Sequence, residues 1–216
     1  MKILSLNVGL PRQVDWKGKT VTTAIFKEPM QGGIALRTLN LDGDRQADLR
    51  VHGGEHKAVY VYPSEHYQLW RRELPDRELP WGMFGENITS EGLLEKEVHI
   101  GDRLRVGTAE VVVTQPRMPC FKLGLKFGRD DIIRLFHESG RSGFYFAVAK
   151  EGEAGAGDSI EFLQRDPRRV SIADFCRLYA THEHHDDILR RILQVPALPA
   201  SWQQHFQELL EKSAGV

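Results

Sequence analysis

A β-strand runs into a rigid, thiol-bearing segment in the stretch Glu110-Val111-Val112-Val113-Thr114-Gln115-Pro116-Arg117-Met118-Pro119-Cys120-Phe121-Lys122. Pro116 and Pro119 lack backbone donors and have a fixed φ, so this segment is not expected to lie within the ladder of a central strand. It holds one thiol, Cys120, close in sequence to two cations, and a nearby cation favours the thiolate that attacks substrates or binds metals. A lone cysteine is also commonly a small buried apolar residue. This stretch alone therefore leaves the role of Cys120 open.

Short strand signals fill the chain on either side of this stretch. Residues 4–10 alternate apolar and polar side chains as a half-buried strand does, and residues 58–62 are apolar on both faces, as in a strand covered on both sides. Further short strands are predicted at 20–26, 34–41, 98–100, 104–106, 111–113, 144–148 and 159–163, with a flexible loop at 151–157. Many short strands at close spacing favour a β-barrel or a sandwich over a doubly wound sheet.

The periodicity becomes helical after residue 166. Residues 171–174 resemble a capping box that starts a helix, and three apolar stripes at helical spacing follow. The stripes consist of Ile172, Phe175, Cys176 and Tyr179, then Ile188, Leu189, Ile192 and Leu193, then Trp202, Phe206, Leu209 and Leu210. Three short helices with one apolar face each are typical of a small helical subdomain. We therefore expect a mainly β domain with some helices at residues 1–166 and a three-helix subdomain at residues 167–216.

The charge, hydropathy and cysteine content of the chain argue against several classes of protein. The 216 residues carry a formal net charge of −1, which gives no bulk attraction to nucleic acid or to an anionic membrane. No apolar run approaches the roughly 20 residues that a membrane span needs, and the first residues lack the apolar region of a secretory signal. The two cysteines, Cys120 and Cys176, are far apart and form no zinc or iron–sulfur pattern. We expect a cytoplasmic protein without a nucleic-acid or membrane partner.

Three other polar clusters have a functional and a structural interpretation. His52-Gly53-Gly54 could place backbone N–H groups around an anion, with Lys57 adding charge, or could be a tight turn in which the glycines supply positive φ. Residues 181–187 are rich in histidine and acid, as in a metal cluster, but also fit a helix start, where acids are favoured by the dipole. Asp42, Asp44 and Asp48 could bind Mg²⁺, although turn capping is the simpler interpretation. Cys176 lies on an apolar helix stripe and is expected in the core.

Taken in order, several motifs resemble those of MOSC domains, which are named after the C-terminal part of molybdenum cofactor sulfurase. The motifs are Leu41-Asp42-Gly43-Asp44-Arg45-Gln46-Ala47-Asp48, His52-Gly53-Gly54 with Lys57-Ala58-Val59 and Tyr62, Phe84-Gly85-Glu86-Asn87-Ile88, Gly101-Asp102, Gln115-Pro116-Arg117-Met118-Pro119-Cys120 and Gly143-Phe144-Tyr145. The tail from about Ser171 is similar to the three-helix extension of the YiiM-type bacterial members. The resemblance covers nearly the whole chain, and the ordered set is more specific than any one motif.

The resemblance implies a β-barrel fold and a molybdenum–molybdopterin cofactor. In the family's molybdoenzyme branch the cysteine that matches Cys120 binds molybdenum as a thiolate, a soft ligand suited to this metal. Cys120 would accordingly be both the metal ligand and the catalytic residue. The residues expected to hold the pterin cofactor or shape its pocket are His52, Gly53, Gly54, Lys57, Asn87, Arg117 and Lys122.

The resemblance further implies reduction of N-hydroxylated small molecules, such as N-hydroxylated purines, to the amine. The sequence has no recognisable flavin, iron–sulfur or haem motif, so the electrons are expected to come from a separate reductase. A homodimer is compatible with this interpretation. Two other hypotheses stay open: a sulfur carrier in which Cys120 holds a persulfide, and a non-catalytic module that binds the cofactor or a partner.

Overall fold

In the described part of the chain, a mixed β-sheet has six α-helices packed around it. The structure, a computed structural model, describes residues 1–48, 53–180 and 185–214. The strands are β1 (Lys2–Val8), β2 (Arg12–Trp16), β3 (Lys19–Thr23), β4 (Glu28–Pro29), β5 (Ile34–Leu36), β6 (Val59–Pro63), β7 (Ile88–Glu91), β8 (Arg103–Val106), β9 (Ala109–Pro116), β10 (Phe144–Lys150), β11 (Gly152–Ala154) and β12 (Ile160–Gln164). The helices are α1 (Glu65–Glu73), α2 (Phe121–Phe127), α3 (Ile132–Glu138), α4 (Ile172–Ala180), α5 (Asp186–Ile192) and α6 (Ala200–Ala214), with a 3₁₀ turn at Glu55–Lys57.

Eight strands form the main sheet in the order β12-β8-β9-β10-β6-β7-β1-β4. The pair β6–β7 is parallel, and the other adjacent pairs of this sheet are antiparallel. A single antiparallel bridge joins Lys2 at the start of β1 to Ser159 just before β12. The sheet thus curls back toward itself without a continuous ladder at the seam, and this architecture agrees with the predicted barrel-like core and helical tail.

Strand β6 contributes side chains to two separate apolar clusters, one on each face of the sheet. All five of its residues are buried, as the apolar run predicted. Val59 and Val61 join the main apolar cluster, while Tyr60 and Tyr62 join a second, aromatic cluster beneath α1, α2 and α3. Because successive side chains of a strand point to opposite faces, this one strand contributes to both cores.

At residues 98–100 and 151–157 the type of secondary structure differs from the sequence expectation. Residues 98–100 were expected to be a strand, but they form a turn with one isolated bridge, between His99 and Ser171. The carboxylate of Asp102 accepts the backbone N–H of His99 at 2.8 Å, which takes a donor that a strand ladder would need. Residues 151–157 were expected to be a flexible loop, but they include β11, which pairs with β5 in a separate two-stranded sheet.

The C-terminal helices pack directly on the sheet. The predicted capping box is present, since Ser171 Oγ accepts the N–H of Asp174 at 3.0 Å and the Asp174 carboxylate accepts the N–H of Ser171 at 3.1 Å. Buried side chains of α4, α5 and α6 belong to the same apolar cluster as the sheet. The proposed boundary at residue 166 stays a prediction. Within the described residues no helix is long and apolar enough to cross a membrane.

Candidate functional site

A cavity of about 100 Å³, partly open to solvent, lies where β9 ends. Its described lining consists of Thr23, Ala24, Ile25, Lys27, Asp44, Arg45, Gln46, Ala47, Gly53, Lys57, Tyr60, Gly85, Asn87, Arg117, Met118, Cys120, Lys122 and Tyr145. These residues come from six separate parts of the chain, so the cavity exists only in the folded protein.

Cys120 reaches the cavity because β9 stops at Pro116. Strand β8 pairs with β9 only as far as Val112, so Pro116 sits where one side of β9 is already unpaired, and a missing N–H costs nothing there. The chain then turns, and Cys120 takes an extended conformation as the N-terminal cap of α2. Its side chain is partly buried, and neither it nor Cys176 is in a disulfide.

Arg117 is buried beside Cys120 in this wall. The residue is only 6% exposed, and its guanidinium carbon lies 5.0 Å from the centre of the Tyr60 ring and 5.3 Å from that of Phe136. Burial lowers the pKa of Arg117, but Tyr60, Tyr145 and Cys120 outweigh it and raise the pKa above its usual value. Arg117 therefore stays charged, and its Nη1 atom is buried without a hydrogen-bond partner among the described residues.

The described lining is rich in positive charge. It carries five cations, Lys27, Arg45, Lys57, Arg117 and Lys122, against one carboxylate, Asp44. Partial burial lowers the pKa of Lys57. An excess of cations around a recess attracts anions, and low-dielectric walls strengthen that attraction.

Asp44 is held in a buried network that fixes one side of the cavity. Its carboxylate pairs with the ammonium of Lys27, and the two side chains are 1% and 8% exposed. It also accepts the backbone N–H of Gly9 at 2.8 Å and the side-chain amide of Asn87 at 2.9 Å. Asn87 in turn accepts the backbone N–H of Tyr60 at 3.1 Å. The network joins the turn after β5 to β6 and to the segment before β7.

A second buried lysine, Lys126, and a buried acid, Glu86, lie near this network. Lys126 of α2 donates to the carbonyl oxygens of Ile25 at 2.9 Å and Gly82 at 2.5 Å. Burial lowers its pKa to about 7, although the nearby Glu86 opposes the change. Burial raises the pKa of Glu86, whose carboxylate accepts the N–H of Gly82 at 2.8 Å and the hydroxyl of Tyr67. Lys126 therefore ties α2 to two segments of the cavity wall.

The structure brings most of the predicted site residues together. Gly53, Lys57, Asn87, Arg117, Cys120 and Lys122 all line the cavity. Gly54 lies next to it as the residue before the 3₁₀ turn, with a φ of 82°. His52 lies outside the described residues.

The other polar clusters have structural surroundings. Asp42 forms an ion pair with Arg37, and Asp44 holds Lys27 as described. Residues 181–184 lie outside the described part of the chain, whereas Asp186 and Asp187 occupy the first turn of α5, as a helix start predicts. Among the described residues no group of three or more histidine, cysteine or acidic side chains is placed to hold a metal ion.

Several lining residues were missed by sequence reasoning. Tyr145 belongs to the Gly143-Phe144-Tyr145 motif, and Tyr60 alternates with the valines of β6, so both carried a signal that could have identified them. Arg45 and Gln46 lie within the first motif. Lys27 carried no such sequence signal, because nothing in its neighbouring sequence shows that it becomes buried against Asp44.

Comparison with known proteins gives a consistent family assignment. The sequence profile of the MOSC domain matches residues 48–161. The chain belongs to the MOSC-domain family. The profile of the YiiM-like 3-alpha helix domain matches residues 170–213, which contain α4 and α5 and most of α6.

Individual relatives and a solved structure agree with this assignment. The chain is 41% identical to the uncharacterized protein YflK of Bacillus subtilis, with 95% of this chain and 93% of the relative covered. It is 35% identical to protein YiiM of Escherichia coli, with coverage of 86% and 84%. The crystal structure of YiiM from Geobacillus stearothermophilus superposes with a TM-score of 0.81 at 35% identity, covering 97% of this chain and 98% of that one.

A further relative carries a functional name. A protein of Gibberella moniliformis named "Reductase" is 30% identical over 83% of this chain, and the match spans 32% of that longer protein.

Proposed function

We propose that this MOSC-family protein is a molybdenum-cofactor-dependent reductase of N-hydroxylated compounds, with Cys120 as the thiolate ligand of molybdenum. The observation that carries the proposal is the cavity at the end of β9, which combines one cysteine thiol with an excess of cations. A soft thiolate suits molybdenum, and clustered cations suit an anionic pterin phosphate. The match to a relative named "Reductase" supports the class of reaction.

The residues present fit this cofactor. The buried Nη1 of Arg117 has no hydrogen-bond partner among the described residues, and an unpaired buried donor costs free energy that an acceptor from a ligand would recover. Lys57 and Lys122 line the same recess. Gly54 has a φ of 82°, and a Cβ placed on it would meet nothing within 4 Å, which leaves backbone accessible beside Lys57.

Each protein group has a defined task in this proposal. The bound cofactor would supply two-electron redox chemistry, so that R–NHOH, two electrons and two protons give R–NH₂ and water. Cys120 would anchor the metal, while Arg117, Lys57 and Lys122 would hold the phosphate and balance its charge. Burial raises the pKa of Tyr145, so its hydroxyl stays neutral at the cavity wall. The electrons would come from a separate reductase.

The first experiment measures molybdenum in protein purified from a host that makes the cofactor. Wild type should contain close to one molybdenum per chain, and Cys120→Ser should lose it. Cys176→Ser is the matched control, because burial raises the pKa of that thiol to about 11 and its sulfur contacts Ser142 rather than the cavity. Molybdenum in neither protein, with sulfane sulfur on Cys120, would support the sulfur-carrier hypothesis instead.

A second experiment tests the reaction. Protein that contains molybdenum should reduce an N-hydroxylated purine to the amine when a chemical one-electron donor is supplied, and Cys120→Ser should not. Reduction by the purified chain with NAD(P)H alone would contradict the requirement for a separate reductase. Unchanged turnover in Cys120→Ser would support a role for the chain that does not depend on this thiol.

A further inference from the structure

The C-terminal helices reach the cavity wall through a line of hydrogen bonds. The indole N–H of Trp202 in α6 donates to the side-chain oxygen of Gln115 at 2.7 Å. The side-chain NH₂ of Gln115 donates to the backbone oxygen of His56 at 3.3 Å. His56 is the central residue of the 3₁₀ turn Glu55–Lys57, which places Lys57 on the cavity wall.

The direction of this line follows from the chemistry of its members. An indole N–H is a donor only, so the amide oxygen of Gln115 must face Trp202, and the NH₂ group must face the other way, toward an acceptor. Gln115 is only 3% exposed, and a buried amide with an unpaired oxygen is costly. Trp202 therefore decides which end of the Gln115 amide points at the 3₁₀ turn.

Trp202 is itself firmly held. Its ring packs edge-on against Phe175 of α4 at 4.8 Å between centroids and stacks on Phe206 of α6 at 5.8 Å. At the other end, the hydroxyl of Thr114 also donates to the His56 oxygen, at 2.7 Å. The backbone oxygen of His56 thus accepts hydrogen bonds from two side chains of β9, Thr114 and Gln115. The Gln115 side chain is in turn oriented by Trp202 of the helical tail.

We infer that Trp202 is a positioning residue of the cavity, which acts through Gln115 to hold the 3₁₀ turn that carries Lys57. The inference depends on the proposed function in one respect only, which is the identity of the ligand that Lys57 binds. The position of the turn itself can be measured in protein without cofactor. A role of this kind explains why the tail packs against β9, the strand that also leads to Cys120.

The test uses Trp202→Phe, which keeps an aromatic ring but removes the N–H. Hydrogen–deuterium exchange of the full chain, made in a host without the molybdenum cofactor, is followed for the backbone amides of residues 54–58. Loss of one net hydrogen bond should speed their exchange by about fivefold. Gln115→Leu, which removes the same link at its other end, should have a similar effect, and the double variant should add little to either single variant.

Leu209→Ala is the matched control, since it loosens the packing of α6 on the main apolar cluster and leaves Trp202 and its ring contacts in place. Exchange at residues 54–58 should stay at the wild-type rate in this variant. Equal exchange at 54–58 in Trp202→Phe and wild type would overturn the inference, and so would the same acceleration in Leu209→Ala.

A binding measurement connects the turn to the cavity. The apparent dissociation constant for inorganic pyrophosphate, used as an anionic probe, should rise severalfold in Trp202→Phe and in Lys57→Met, and not in Leu209→Ala. An unchanged constant in Trp202→Phe beside a raised one in Lys57→Met would overturn the link between Trp202 and Lys57. The molybdenum content of Cys120→Ser tests the proposed function separately, so the two can fail independently.

Discussion

Lys126 should make the stability of the protein depend on pH in the alkaline range. Burial lowers its pKa from 10.5 to about 7, with Lys27 and Arg117 adding to the effect and Glu86 opposing it. Between those two pH values the unfolded chain binds a proton at this amine that the native protein has released. The contribution of Lys126 to stability therefore rises as the pH increases from about 7 toward 10.5, and is lowest at and below pH 7.

The size of the effect follows from the shift. One pKa unit corresponds to about 1.4 kcal/mol, so Lys126 should contribute up to about 1.4 kcal/mol of stability per pH unit within this window. From pH 7.5 to pH 9.5 the gain should approach about 2.5 kcal/mol. The two hydrogen bonds to Ile25 and Gly82 persist on deprotonation, because a neutral amine can still donate both.

The assay is urea unfolding followed by tryptophan fluorescence at several pH values between 7.5 and 9.5, for wild type and Lys126→Met. The variant keeps a long apolar side chain without the titrating amine, so the difference in unfolding free energy between the two proteins should grow with pH in favour of wild type. Other alkaline titrations cancel in that difference. Lys19→Met, at an exposed position on β3, should show a constant difference from wild type. A constant difference for Lys126→Met as well would refute the reasoning.

Two further substitutions test how the cavity wall is built. Lys27→Met should lower the unfolding free energy by about 3 kcal/mol or more, because it leaves the Asp44 carboxylate buried without its cation; urea unfolding at pH 7 measures this. Gly143→Ala should lower the melting temperature by several degrees more than Gly140→Ala. Both glycines have positive φ, but a Cβ on Gly143 would lie 2.4 Å from the backbone oxygen of Val61, whereas one on Gly140 would meet nothing within 4 Å.

The sequence pattern predicted those features that depend on local periodicity. The run at residues 58–62 predicted a strand buried on both faces, and β6 is buried throughout. The capping box at Ser171 and the apolar stripes predicted the three tail helices. The stripes also predicted that Cys176 faces the interior, and it packs against the main apolar cluster.

Helix α2 could not be found in the same way. Phe121, Leu123, Leu125 and Phe127 alternate with polar or small residues, which is typical of a strand rather than a helix. The segment is a helix that ends at Gly128, which has a left-handed conformation and donates its N–H to the carbonyls of Gly124 and Leu125. Tertiary packing of a seven-residue helix outweighs its local pattern.

The roles of the two buried lysines near the site could not be predicted from the sequence either. Lys27 and Lys126 become ionic or hydrogen-bonding anchors only because segments far apart in sequence enclose them. A sequence shows which residues carry charge, but the dielectric around each charge is a property of the folded chain. The signals for Cys120 and Arg117 were visible because the prolines beside them interrupt a strand pattern.

That interruption links the fold to the proposed chemistry. Had β9 continued past Pro116 as a paired strand, Arg117 and the residues after it would have alternated between the two faces of the sheet. The pairing with β10 closes here with one last bond, from the N–H of Arg117 to the backbone oxygen of Gly143 at 3.3 Å, and the Arg117 side chain lies over the Tyr60 ring. The chain then reaches Cys120 at the start of α2. Gln115, one residue before the proline, still lies in the strand and points to Trp202 and the 3₁₀ turn. One strand end thus places the thiol, the buried cation and the contact to the tail within six residues, so a change that shifts this end should disturb all three together.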